Sequence, residues 1–170
     1  YRHHQIDRSG RLQYLSAGRL LSKNLAIDSA RFVMRARDSS FTLSRYNVAG
    51  LEGYLFPETY QFWYGMKPDD IIEMMMKQFL SQAGPRLDSL RPGSLSAPQV
   101  LILASIIEAE AGSREEMPLI SSVYHNRLRS GMLLQADPTV LFALGGVSRA
   151  LSLDDLKFDS PYNTYLYPGL

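Results

Sequence analysis

The residues of this sequence best suited to chemistry are two glutamates at the end of an apolar segment. Residues 100–107 read VLILASII, and Glu108 and Glu110 follow directly. This segment predicts a helix buried on every side, and a capping sequence starts it at Ser96 and Gln99. Desolvation and the negative end of the helix dipole both raise the pKa of a glutamate at such a helix end. Such a group can stay protonated near neutral pH and act as a general acid in glycosidic bond cleavage.

The two glutamates cannot share one site in a regular helix, because residues two apart point about 200° apart. Glu108 lies over small side chains such as Ala104 and Ser105, which leave room for a ligand. Glu110 lies over bulky leucine and isoleucine side chains, which suggest a packed face or a rim. We therefore expect Glu108 to be the acid. The alternative is that both glutamates are simply hydrated at a helix end.

Composition excludes several classes of function. The 170 residues carry 18 Lys+Arg and 17 Asp+Glu, a net charge of +1, which argues against a nucleic-acid binder that works by bulk basicity. With no cysteine, disulfide scaffolds, thiol catalysis and cysteine zinc sites are excluded. The chain also has no His-Glu-x-x-His zinc signature, Gly-rich phosphate loop or Gly-x-Ser-x-Gly elbow. We expect no metal, no organic cofactor and no nucleic-acid partner.

The remaining patterns predict an α+β fold. Helices are expected after Asp28, from Pro68 to Gly84 and Pro85, and around Pro118. The aromatic-rich residues 48–64 predict short strands, either a packed strand pair or the aromatic wall of a sugar cleft. No apolar run reaches the roughly 18 residues of a membrane span. The chain begins at Tyr1, so we expect a fragment from which an anchor or targeting segment has been removed.

Four segments resemble, in order, the signatures of the YceG-like family of endolytic murein transglycosylases. They are LEGYLFPETY at 51–60, ASIIEAE at 104–110, VYHNRL at 123–128 with MLLQADPTV at 132–140, and SPYNTY at 160–165. The resemblance implies a mainly helical catalytic domain over 51–170, truncated at its C-terminus. Residues 1–50 would be the remainder of a small LysM-like α+β module.

The resemblance also implies an activity. Members cut peptidoglycan glycan strands between N-acetylmuramic acid and N-acetylglucosamine and leave a 1,6-anhydro-muramyl end. They are held in the bacterial inner membrane by one N-terminal helix, with the catalytic part outside the cytoplasm. The partners implied are peptidoglycan glycan strands, with peptidoglycan synthases as further candidates.

The family's catalytic glutamate maps onto Glu108. It would first protonate the leaving oxygen and then take a proton from the muramyl 6-hydroxyl as that oxygen attacks. The candidates for holding the sugars are Asn126, Gln135, Asp137, Tyr162, Asn163 and Tyr165. Two roles stay open: Arg127 as a structural ion-pair partner, and Asp137 as the cap of a turn or helix.

Three other functions remain in view. A lysozyme-type hydrolase would need a second carboxylate, such as Asp137 or Glu58, beside the acid. A non-catalytic glycan-binding module of the wall-synthesis machinery would bind sacculi without releasing product. An α+β interaction domain would have no affinity for glycans.

Overall fold

The computed structural model describes residues 28–56, 58–90, 95–146 and 149–170. The chain divides into two compact units, residues 1–92 and 93–170. The secondary structure of the described residues consists of six α-helices and one short 3-10 helix. The prediction of a mainly helical fold is therefore confirmed. The described residues contain no β-strand, so the strands of the predicted α+β class are not found there.

The first unit contains three helices. They are α1 (Ser29–Arg37), α2 (Ser39–Tyr46) and α3 (Pro68–Asp88). Asp28 caps α1 as the sequence predicts, since its carboxylate accepts the N–H groups of Ala30 at 2.9 Å and Arg31 at 3.2 Å. A two-pronged ion pair ties α1 to α3, because Arg35 Nε and Nη2 each donate to a carboxylate oxygen of Asp69 at 2.9 Å.

The core of the first unit confirms the predicted apolar face of α3. This face buries Ile71, Ile72, Met75, Met76 and Phe79. Phe32 and Ala36 of α1 pack in the same cluster. The helix does not end at Gly84 and Pro85 as predicted but continues to Asp88. The proline lies in an exposed last turn, where Arg86 Nη1 donates to the Gln82 carbonyl oxygen at 3.1 Å.

The prediction of short strands over residues 48–64 is wrong for the described residues, which form turns and irregular backbone. The Tyr54 N–H donates to the Leu51 carbonyl oxygen at 3.1 Å, and Gly53 between them has φ +82°. A turn of this hand is available to glycine without strain. Leu51 and Leu55 are fully buried, so the segment contributes to the core without pairing as a strand.

The aromatic side chains of this segment divide into two groups. Tyr60 and Phe62 are buried and stack with ring centroids 5.5 Å apart. Trp63 and Tyr64 are exposed. The first pair therefore serves packing, although not within the packed strand pair that the sequence predicted.

The packing boundary differs from the predicted division at residue 50. Leu51 and Leu55 share one core with Phe32, so the first unit continues past that residue. Residues 1–27 of the predicted LysM-like module lie outside the described residues. The division into a module over 1–50 and a catalytic domain over 51–170 stays a prediction.

The second unit contains three helices and the 3-10 helix. They are α4 (Ala97–Glu110), α5 (Met117–Arg129), α6 (Asp137–Ala143) and the 3-10 helix Asp155–Lys157. The predicted capping sequence begins α4, where the Ser96 N–H donates to Gln99 Oε1 at 3.0 Å. Both α5 and α6 pack against α4. This packing brings the three helices into the neighbourhood of one core.

Helix α4 is less buried than its sequence predicts. Leu103 and Ile106 are buried with Tyr124 and Leu134, whereas Ile102 is 44% exposed. Among the described residues, α5, α6 and loop residues such as Leu134 pack against the side of α4 that carries Leu103 and Ile106. An apolar run therefore predicted the helix but not how many sides it buries.

No helix among the described residues has the length and apolar character needed to cross a membrane.

Candidate active site

Glu110, the last residue of α4, lies in a cluster with Tyr124, Asp137 and Tyr165. Partial burial raises the pKa of the Glu110 carboxyl, and the negative charge of Asp137 raises it further. Burial also raises the pKa of Tyr124 to about 12, with the charge of Glu110 as the second cause. Because these groups act on one another's pKa, the four side chains are neighbours, and they are here called the Glu110 cluster.

Asp137 and Tyr165 are joined directly within this cluster. The Tyr165 hydroxyl donates to Asp137 Oδ1 at 2.5 Å. This bond is the largest cause that raises the pKa of Tyr165 to about 12, followed by burial and then by the charge of Asp137. Tyr165 therefore keeps its proton at neutral pH. Asp137 makes no side-chain cap to α6, so its predicted alternative role as a helix cap is not what the structure contains.

Two buried threonines explain why residues so distant in sequence meet here. The Ala136 N–H donates to Thr164 Oγ1 at 3.0 Å, and the Gln135 N–H donates to the Thr164 carbonyl oxygen at 3.0 Å. Thr139 Oγ1 donates to the Ala136 carbonyl oxygen at 2.7 Å and lies 2.9 Å from Thr164 Oγ1. These bonds, here called the threonine latch, tie the start of α6 to residues 160–165. They bring Asp137 and Tyr165 together.

Arg127 organises the loop that precedes α6. Its Nη1 donates to the Leu133 carbonyl oxygen at 2.8 Å, to the Leu134 carbonyl oxygen at 3.3 Å and to Gln135 Oε1 at 2.9 Å. The structural role left open for Arg127 is therefore supported, but its partners here are carbonyl and amide oxygens. Gln135 has φ +52°, a left-handed conformation that is uncommon outside glycine.

Glu108, the predicted acid, is exposed near the end of α4, as Glu110 also is. It precedes Glu110 by two residues, so its side chain points about 200° away around the helix axis. Asp137 and Tyr165, both predicted as sugar-binding residues, therefore lie by Glu110, and Glu108 faces away from them. The small residues beside Glu108 on α4 leave space there, but the neighbours of Glu110 come from other parts of the chain.

Asn126 is not brought into the Glu110 cluster. It lies on α5 about 200° around from Tyr124. Its Oδ1 accepts a hydrogen bond from Arg129 Nη2, and the side chain is exposed. Arg127 follows Tyr124 by three residues and so lies on the same side of α5. Among the residues of this motif, Tyr124 and Arg127 therefore face the site.

Asn163 was predicted to hold a sugar, and the structure gives it a different role. It is fully buried, and its Nδ2 donates to the carbonyl oxygens of Leu156 at 3.0 Å and Phe158 at 2.8 Å. Its Oδ1 accepts the Tyr165 N–H at 2.9 Å. Both ends of the amide are engaged by the backbone, so Asn163 shapes the segment that carries Tyr165.

Tyr162 is 58% exposed, and its ring meets Phe142 edge-on with centroids 5.0 Å apart. More than half of the Tyr162 side chain is thus open to solvent. Tyr124 was not among the site residues predicted from the sequence. The signal for it was its hydroxyl, because a buried tyrosine usually needs a polar neighbour. Across the described residues, no three His, Asp or Glu side chains come close enough to hold a metal ion.

The chain resembles known proteins over most of its length. The sequence profile described as the YceG-like family matches residues 8–170. Over 124 residues the chain is 44% identical to an endolytic murein transglycosylase of Bacillus subtilis strain 168, covering 71% of this chain and 34% of that protein. It is 34% identical over 125 residues to the protein of that name in Streptococcus pneumoniae strain D39, covering 71% of this chain and 23% of that protein. The chain therefore spans about a third or less of the length of these relatives.

A solved structure resembles the fold as well. The crystal structure of a YceG-like protein from Listeria monocytogenes aligns with a TM-score of 0.81 and 32% sequence identity. The alignment covers 95% of this chain and 59% of that one. Because the family profile matches nearly all residues, including those of the Glu110 cluster, the chain belongs to the YceG-like family.

Proposed function

We propose that this protein is an endolytic peptidoglycan lytic transglycosylase. It would cut the bond between N-acetylmuramic acid and N-acetylglucosamine and leave 1,6-anhydro-muramyl ends. The Glu110 cluster is the observation that carries the proposal, because it places a carboxyl group with a raised pKa beside the hydrogen-bonded pair of Asp137 and Tyr165. The names of the relatives in Bacillus subtilis and Streptococcus pneumoniae support the substrate class.

We assign the general acid to Glu110, in place of the Glu108 that the sequence favoured. A general acid must hold its proton until the substrate takes it, so a raised pKa suits the role. Glu110 has that raised pKa and the neighbours that cause it. Glu108 and Glu110 are both exposed, but Glu108 points about 200° around the helix axis from Glu110 and so away from Asp137 and Tyr165. Glu108 stays as the alternative, and the variants below separate the two.

The first step breaks the glycosidic bond. Glu110 gives its proton to the glycosidic oxygen, which leaves as a hydroxyl with the bonding electron pair. Positive charge develops at the anomeric carbon of the muramyl sugar, as in other glycosidic cleavages. A carboxylate at Asp137 would stabilise that charge through space, and the Tyr165 hydroxyl bond holds its Oδ1 in place.

The second step closes the ring without water. The muramyl 6-hydroxyl oxygen attacks the anomeric carbon, and the Glu110 carboxylate takes the hydroxyl proton. The acid thereby regains its proton, and the product carries a 1,6-anhydro bond. One residue acts first as acid and then as base. This sequence needs no second carboxylate as nucleophile, so Asp137 is free to act through its charge.

The proposed sugar-binding residues are the predicted candidates that lie in or near the Glu110 cluster. Gln135 lies two residues before Asp137, Tyr162 lies three residues before Tyr165, and both side chains are exposed. We propose that both contact the glycan. Asp137 and Tyr165 are proposed to contact the sugar at the cleaved bond. Asn126 stays a candidate that lies on another face of α5. Asn163 is proposed to support Tyr165 only.

The context of the whole protein is proposed from the family resemblance. The protein would work outside the cytoplasmic membrane and be held there by one N-terminal helix. A LysM-like module over residues 1–50 would precede its catalytic domain. Peptidoglycan synthases would be its partners.

A lysozyme-type hydrolase is the second candidate. Asp137 lies close enough to raise the pKa of Glu110, so a second carboxylate is present beside the acid. A hydrolase would use it to form a glycosyl intermediate or to activate water. Digestion of purified sacculi in heavy-oxygen water separates the two reactions. A transglycosylase leaves anhydro ends without heavy oxygen, whereas a hydrolase leaves reducing ends that carry it. Heavy oxygen in the released ends would contradict the proposal.

A further inference from the structure

We propose that Gln135 determines specificity by donating its side-chain amide hydrogens to the acetamido carbonyl oxygen of an N-acetylated sugar, and that Arg127 is the positioning residue that holds it in this orientation. The inference rests on the proposed function, since the ligand is a glycan at the Glu110 cluster. It goes further by naming the sugar substituent that is recognised and the group that recognises it.

The backbone at Gln135 is the first observation. Its φ of +52° lies in the left-handed region, where glycine, asparagine and aspartate are the usual residues. Leu134 and Ala136 on either side are buried, while Gln135 is exposed. A long side chain in this conformation contributes nothing to the core. Strained residues of this kind gather at functional sites, so the outlier points to a role for the side chain.

The orientation of the amide is the second observation. Arginine has only hydrogen-bond donors, so the atom that faces Arg127 Nη1 at 2.9 Å must be the oxygen Oε1. Nε2 therefore faces away from Arg127. No described residue accepts a hydrogen bond from Nε2. Arg127 is itself held by the Leu133 and Leu134 carbonyl oxygens. The side chain thus presents two fixed donors to solvent.

The position of Gln135 is the third observation. Its N–H is bonded to the Thr164 carbonyl oxygen at 3.0 Å, and Thr164 is next to Tyr165. Gln135 also precedes Asp137 by two residues, and both side chains are exposed around the buried Ala136. Tyr165 and Asp137 belong to the Glu110 cluster. A sugar at that cluster therefore passes close to Gln135.

The chemistry of the exposed amide selects the ligand group. A group that only donates pairs best with an atom that only accepts, and the acetamido carbonyl is the strongest neutral acceptor on an N-acetylated sugar. A sugar hydroxyl would use both ends of an amide, but Oε1 is turned toward Arg127 and already accepts its hydrogen bond. A sugar that has lost its acetyl group carries an ammonium at this place. Two donors facing each other repel, so such sugars are discriminated against.

The experiment uses the full-length protein and glycan strands from which part of the acetyl groups have been removed. Mass spectrometry counts cleavage next to N-acetylated and next to de-N-acetylated sugars within one digest. Gln135→Glu keeps an oxygen for Arg127 and replaces the outward donors by an acceptor. We expect this variant to lower the preference for N-acetylated sugars about tenfold. It loses the hydrogen bond to the acetamido oxygen and no longer repels the ammonium of a de-N-acetylated sugar. Gln82→Glu, the same change on the exposed side of α3, should leave the ratio unchanged.

Further variants separate the outcomes. Arg127→Lys should lower the same ratio, whereas an arginine that only supports the fold would change the unfolding temperature and leave the ratio alone. Gln135→Ala removes the donors without adding charge. If Gln135→Glu forms too little product, the cleavage ratio is measured with Gln135→Ala instead. An unchanged ratio in the Gln135 variants would overturn the inference. A wild-type protein that forms no product would instead contradict the proposed function. Binding of N-acetylated strands, weakened by Gln135→Glu and not by Gln82→Glu, would then still decide the inference.

Discussion

Replacing Thr139 by valine should destabilise the second unit by about 2 kcal/mol. Valine has nearly the same shape, so the change removes the hydroxyl and little else. Thr139 Oγ1 donates to the Ala136 carbonyl oxygen at 2.7 Å and accepts the Thr164 N–H at 3.3 Å. The Ala136 oxygen keeps its backbone bond from the Thr139 N–H, but the Thr164 N–H loses its partner. A buried donor without a partner costs about 1–3 kcal/mol, and Thr164 is only 7% exposed.

The free energy of unfolding is measured by urea titration followed by circular dichroism. Ser122→Ala is the matched control, because it removes a hydroxyl bonded to a helix carbonyl oxygen at 2.7 Å on an exposed surface. It should change stability by less than about 0.5 kcal/mol. Thr139→Val should also lower turnover, since the threonine latch joins Asp137 to Tyr165. A Thr139→Val protein within about 0.5 kcal/mol of wild type would refute the claim that this latch holds the site together.

Three further changes test other parts of the site. Tyr165→Phe removes the 2.5 Å bond to Asp137 and should lower kcat/KM about tenfold or more, and an unchanged kcat/KM would remove Tyr165 from the site. Glu110→Gln should raise the thermal unfolding temperature at pH 7.5 and not at pH 3. The folded state raises the pKa of Glu110, so it binds that proton more tightly, and wild type loses this stability as pH rises through the folded pKa. An equal difference in unfolding temperature between wild type and Glu110→Gln at both pH values would contradict the raised pKa of Glu110. Asn163→Ala should cost about 3 kcal/mol in a urea titration, because the side chain makes three hydrogen bonds to backbone groups. A loss of activity at full stability would instead make Asn163 a ligand residue.

The helices could be predicted because their signals are local. Asp28 caps α1 through the N–H groups two and three residues ahead, and the Gln99 side chain reaches back to Ser96 at the start of α4. The apolar face of α3 repeats with the helical period and is buried as that period predicts. Each of these signals lies within a few residues of the structure it specifies.

The strands could not be predicted in the same way. Aromatic residues favour strands only when a neighbouring strand and a half-buried surface are available, and a sequence does not reveal the neighbour. In residues 48–64, Tyr54, Tyr60 and Phe62 pack into a helical core instead, whereas Trp63 and Tyr64 are exposed. Gly53 and Gly65 turn the backbone with positive φ, which interrupts any extended segment.

The candidate site was predicted in part. Its segments were identified in order, and Asp137, Gln135 and Tyr165 meet at one place in the second unit. The proposed choice of Glu110 over Glu108 rests on the neighbours Asp137 and Tyr165, which the residues of α4 alone do not contain. The same holds for Asn163, whose partners are carbonyl oxygens that no side-chain pattern records.

The most direct test compares the products of wild type, Glu110→Gln and Glu108→Gln on purified sacculi by mass spectrometry. Circular dichroism of each variant confirms folding, and Glu108→Gln is the matched control because it makes the same change two residues away on the same helix. We predict 1,6-anhydro-muramyl ends from wild type and from Glu108→Gln, and a loss of about a hundredfold or more in Glu110→Gln, the usual contribution of a general acid. Full turnover by a folded Glu110→Gln protein, with product lost in Glu108→Gln, would contradict the assignment of the acid and restore Glu108.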